Sequence, residues 1–117
     1  MTIPLEIMLR GNNHVFTDTI VHPVDPANWT DQDVATILRH VLVAINRVQK
    51  GAEADEPEVS LRGLSWIVHP SEAGVVIALE IHTAAAVAGP VALSPARLDD
   101  LITRALKRDA AGSVVVH

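Results

Sequence analysis

Six histidines, His14, His22, His40, His69, His82 and His117, are where chemistry would start in this chain, which has no cysteine. Histidine is the side chain most easily poised to gain or lose a proton near neutral pH. The closest approach to a ligand pair is Glu80 with His82, which a strand places two residues apart on one face. Two donors do not complete a metal site, and neither an HExxH nor an HxH pattern occurs. His22 and His69 each precede a proline, at positions that bring imidazoles to strand ends, and Asp18 or Asp25 stands near enough in sequence to orient His22. A serine nucleophile would need an exposing glycine-flanked elbow, which Ser65, Ser71 and Ser94 lack. Trp29 precedes a helical pattern and is expected to staple its first turn against Val34, or to anchor an interface if exposed. The candidate binding residues are therefore His22, His69, Glu80, His82 and Trp29. No catalytic residue, metal ligand or cofactor is assigned.

Composition removes several function classes. A formal charge of −5 argues against a phosphate backbone as partner, because nucleic-acid binding rests on clustered Lys and Arg. Aromatic residues reach only 3 % while aliphatic ones dominate a hydrophobic fraction of 49 %, so few side chains remain for stacking a base or a flat ligand. No GxGxxG or GxxxxGK[ST] phosphate cradle is present. The absence of cysteine fits a reducing compartment, and the start of the chain lacks the basic and apolar stretches of a signal peptide. The most apolar stretch, Val75 to Leu93, is interrupted by Glu80, His82, Gly89 and Pro90, so no membrane span is expected. The expected location is the cytoplasm.

The elements that must position these residues follow from periodicity. Ile3, Leu5, Ile7 and Leu9 alternate with Pro4, Glu6, Met8 and Arg10, predicting a strand with one face buried, and Gly11-Asn12-Asn13 turns it into the β-branched run from Val15 to Val24. Val34, Ile37, Leu38, Val41, Leu42, Ile45 and Val48 form a helical stripe, with Thr30 as cap, Asp31 and Asp33 in the first turn and Gly51 beyond the end. The acidic stretch at 51–58 reads as a solvated loop. Val59 to His69 and Val75 to Thr83 make a second hairpin. In its second arm Val75, Ile77, Leu79 and Ile81 share one face; Val76, Ala78, Glu80 and His82 share the other, which is only half polar and so invites a cover. Residues 84–93 read as a short strand or loop. Ser94-Pro95 opens a second helix with Leu98, Leu101, Ile102, Ala105 and Leu106 as its buried stripe, and Arg97, Arg104, Lys107 and Arg108 on its solvated side. Ser113 to His117 reads as a terminal strand.

The expected fold is a single α+β domain over residues 1–117, a two-layer sandwich of order ββ-α-ββ-(β)-α-β with a mostly antiparallel sheet and two helices on one face. The expected function is that of a small non-enzymatic interaction or assembly protein, self-associating through its sheet or through Val114, Val115 and Val116. A protein partner or a second copy is expected, with neither nucleic acid nor membrane. Two alternatives compete: a ligand-binding or enzymatic domain using histidines in a sheet–helix pocket, and a regulatory or inhibitory module that binds a larger enzyme through the 51–58 loop.

Overall fold

The structure, a computed structural model, describes residues 1–50 and 64–115. In chain order it consists of β1 (Thr2–Leu9), β2 (Val15–Val21), a 3-10 turn (Pro26–Asn28), α1 (Asp31–Lys50), β3 (Ser65–Ser71), β4 (Gly74–Glu80), β5 (Ala84–Val91) and α2 (Pro95–Val115). The strands form one five-stranded sheet in the order β2-β1-β5-β4-β3, every neighbouring pair antiparallel. This is the α+β sandwich expected from the alternation of strand and helix periods.

Both helices lie on the same face. The residues that period two sends to that face, Ile3, Leu5 and Ile7 from β1, Val75, Ile77 and Leu79 from β4, and Ala84, Ala86 and Ala88 from β5, are buried in a single core with the stripes of α1 and α2. α1 packs over β2, β1 and β5, while α2 lies beside it over β3. The alanines of β5 are the reason the helices approach the middle of the sheet: a large residue there would lift them off.

Within the stretch 84–93, Ala84–Val91 form the central strand. Alanine and glycine have poor strand propensity, so local preference was outweighed by pairing on both sides, with Ala86 facing Ile7 across one ladder and Leu79 across the other. Near its end the register between β4 and β5 shifts at Val75/Ile77, and two glycines allow the backbones to close up. Gly74 has φ +139°, and a Cβ there would overlap the Val91 carbonyl.

The end of the chain departs from expectation. Ser113, Val114 and Val115, read from the sequence as a terminal strand, continue α2. Ala110 and Ala111 carry the helix forward, and Gly112 does not terminate it. Val116, His117, the acidic 51–58 loop and the first part of the expected strand at 59–63 lie outside the described residues.

Gly74→Ala would place a side chain into backbone at a φ that L-residues rarely adopt, and is expected to cost about 2 kcal/mol or more. Urea unfolding followed by circular dichroism checks this; an unchanged midpoint would show that the bulge is not as tight as described.

Candidate functional site

The histidines do not converge. His22 closes β2 at one edge of the sheet and His69 sits in β3 at the other edge, four strand spacings away, roughly 19 Å. His82 follows β4 in the connection to β5. His14 is exposed and stacks edge-on to Phe16, and His40 is exposed on α1.

His22 is the one buried polar residue of the described core, 5 % exposed. Its Nε2 lies 3.0 Å from Asp33 Oδ1, and its ring meets Trp29 edge-on. An ionised carboxylate only accepts, so Nε2 is the donor. Asp33 is the third helical residue after the Thr30 cap: its Oδ2 accepts from the Thr30 amide at 2.8 Å and the Thr30 hydroxyl at 3.0 Å. This is a capping box with aspartate in the usual glutamate place. The amide bond from Thr30, helped by His22 and the Thr30 hydroxyl, holds the Asp33 carboxyl below the usual carboxylate range against the opposing effect of burial. Trp29 is 2 % exposed, donates from Nε1 to the Val24 carbonyl at 2.9 Å, and accepts Arg97 on its own carbonyl at 3.3 Å. All these bonds tie the end of β2 to the start of α1 and to α2, and every one is internal. The cluster is a corner post of the fold. It was partly legible: Thr30 and Asp33 marked the cap, but nothing in the sequence linked His22 to Asp33.

Glu80 and His82 lie beside an open concavity of about 570 Å³ at one end of the sheet, with Arg10, Ser65, Met8 and Ala85 also on its wall. Glu80 is the last residue of β4, and the turn begins at once, with the Ile81 amide bonded to Ala84 O. The shared pleat that would have set Glu80 and His82 side by side therefore ends between them. Arg10 gives a guanidinium N–H to the His82 carbonyl at 3.2 Å, which fixes the backbone of the turn. Among the described residues no group of three His, Asp or Glu side chains is gathered as metal ligands would be.

Among the described residues, the largest feature without an internal role is the sheet face turned away from the helices. Register places its side chains in rows across all five strands. The middle row runs Thr17, Glu6, Val87, Ala78, Ile67; beside it on one side run Val15, Met8, Ala85, Glu80, Ser65, and on the other Thr19, Pro4, Val76 and His69. Val76, Ala78, Ala85 and Val87 form an apolar centre that is half-buried only by its own neighbours. Ile67 is 65 % exposed, Val21 68 % and Val15 44 %. Water-facing strand surfaces ordinarily alternate to polar, and the aliphatic centre on this side departs from that pattern. His69, singled out for its place before Pro70, stands on this face rather than in a pocket.

The electrostatics of the α1 corner predict a pH dependence. A carboxyl whose folded pKa lies below its unfolded value adds stability that is fully present above the unfolded value and is lost as pH falls through the folded one. Asp33→Asn is expected to lower stability at neutral pH by about 1 kcal/mol and to flatten the loss of stability below about pH 4. Denaturant titrations at neutral and acid pH check both; an equally steep acid limb in the variant would assign it to other carboxylates.

Comparison of the chain with protein-family models, with curated proteins and with solved structures finds no match.

Proposed function

We propose that the chain is a small non-enzymatic assembly protein that pairs with a second copy of itself through the sheet face that no described element covers. The observation that carries this reading is the aliphatic centre of that face, Val76, Ala78, Ala85 and Val87 with exposed Ile67 beside it.

Three further features support it. The area is adequate: five strands at about 4.8 Å spacing and some seven residues each present roughly 600 Å² per copy, so about 1,200 Å² in a pair, the lower end of specific interfaces. The shape suits a sheet, since small side chains in the middle and β-branched ones towards the edges let two twisted faces approach to about 10 Å. The edges are less suited. Met1 and His22 exchange backbone hydrogen bonds at 2.7 and 3.0 Å, so the alternation along β2 turns the amides of Thr17, Thr19 and Val21 outward. The Thr19 amide is taken by Asp18 Oδ1 at 2.7 Å, which blunts that edge. At the other edge Pro70 in β3 has no donor to offer.

Among the residues whose burial is described, the solvated side of the helix layer offers no comparable surface. Arg104 pairs with Asp100 at 3.1 Å, and Arg108 with Asp31 of α1 at 3.1 Å, so the basic side chains of α2 are interleaved with acids. No helix among the described residues is long and apolar enough to cross a membrane.

Sedimentation equilibrium across a concentration series tests the reading. The wild-type chain is expected to dimerise with a dissociation constant of about 1–100 μM, as suits an interface near the lower size limit. Val87→Lys and, separately, Ile67→Lys should abolish the dimer while leaving the circular dichroism spectrum and unfolding midpoint close to wild type. A wild-type monomer at millimolar concentration, or dimers unaffected by both variants, would overturn it.

A further inference from the structure

The concavity at the end of the sheet, about 570 Å³, carries charges that the fold does not use. Register sets Met8, Ala85 and Glu80 side by side across β1, β5 and β4, so the smallest side chain of the row stands between two long ones on the wall of the hollow. Leu9 and Ile81 add to the apolar part of that wall. Arg10 follows β1 and Glu80 ends β4, on either side of β5, with their strands two spacings, about 10 Å, apart. Both side chains are exposed. Among the described residues Glu80 has no hydrogen-bond or ion-pair partner, and Arg10 gives one guanidinium nitrogen to the His82 carbonyl. The two opposite charges share one concavity without pairing with each other.

The backbone around them is fixed by the fold. The Arg10 amide donates to the Thr83 carbonyl at 3.0 Å, the Ile81 amide donates to the Ala84 carbonyl at 2.9 Å, and Gln49 Nε2 of α1 donates to Thr83 Oγ1 at 2.7 Å. The connection between β4 and β5 is thus tied to the end of β1, to its own flanking strand and to α1. A wall held in this way is set before a ligand arrives, which lowers the ordering cost of binding.

We infer that this concavity binds a free α-amino acid with an aliphatic side chain. The planar guanidinium of Arg10 takes the carboxylate, and Glu80 accepts from the ammonium group. The aliphatic side chain lies on the wall formed by Met8, Leu9 and Ile81. The charge pattern is selective: a simple anion is repelled by Glu80 and a simple cation by Arg10, whereas a ligand that carries both charges gains from each. The inference does not rest on the assembly reading above.

Amide chemical shifts of the full chain, followed as L-leucine, isocaproate or isoamylamine is added, test the site. L-leucine is expected to shift the signals of Arg10, Ser65, Glu80 and Ala85 in a saturable manner, with a dissociation constant of about 1 mM as suits a small ligand in an open site. The acid and the amine each lack one charge and should bind about 10-fold more weakly. Glu80→Gln should weaken L-leucine by a similar factor and bring L-leucine and isocaproate within about 2-fold of each other, because the repulsion on the acid is removed. Arg10→Gln should do the same for L-leucine and isoamylamine. Met8, Ala85, Glu80 and Ser65 form the end row of the sheet face turned away from the helices, so the titration is repeated on the Ile67→Lys chain, which the assembly reading makes monomeric. Saturable L-leucine binding in either chain, with the stated preference over the acid and the amine, supports the site. No saturable shift in either chain up to about 20 mM, or equal binding of L-leucine and isocaproate without the Glu80 substitution, overturns it and leaves the assembly reading standing.

Discussion

A five-stranded antiparallel sheet has two faces, and this chain supplies helices for one of them. Everything else in the molecule follows from how that imbalance is met. On the helix side, the alternation of Ile3, Leu5 and Ile7 with β4's Val75, Ile77 and Leu79 meets the stripes of α1 and α2 in a closed aliphatic core. Burial of these side chains, at roughly 1.5–3 kcal/mol each, is the dominant favourable contribution to the fold. On the other side the same period of two places Val76, Ala78, Ala85 and Val87, which gain little by folding alone. They are aliphatic at positions where a solvated sheet would carry polar groups, and the free energy still available from covering them is what an assembly would draw on.

The polar groups of the interior serve placement rather than chemistry. His22, Asp33, Thr30 and Trp29 form one connected set of hydrogen bonds at the corner where β2 gives way to α1, with Arg97 of α2 bonded to the Trp29 carbonyl. A buried His–Asp pair has the outward form of an acid–base dyad. Here the carboxylate is spent on capping a helix, and His22 is 5 % exposed. The aliphatic sheet face turned away from the helices and the structural polar cluster are thus on different sides of the molecule.

Much of this was legible in the sequence because periodicity reports burial directly. The α1 stripe from Val34 to Ile45 and the α2 stripe of Leu98, Leu101, Ile102 and Ala105 are buried as their spacing demanded, and the half-polar second face of β4 already signalled an unfinished surface. Residues 84–91 were ambiguous because their alanines serve packing, not strand propensity; only the pairing of β5 with both β1 and β4 makes them a strand. The end of α2 was misread because three consecutive valines resemble a strand when the helix before them is not known to continue. Side-chain partnerships such as His22 with Asp33 depend on how a strand end and a helix start meet in space, which no spacing along the chain encodes.

The lack of cysteine makes one measurement especially direct. Ala78→Cys places a single thiol at the centre of the uncovered face, and Arg104→Cys places one on the solvated side of α2. Treatment with a short bis-maleimide should convert the Ala78→Cys chain to a covalent dimer in a concentration-dependent manner and leave the Arg104→Cys chain monomeric. Equal cross-linking of both, or of Arg104→Cys alone, would contradict the claim that the uncovered sheet face is where two copies meet.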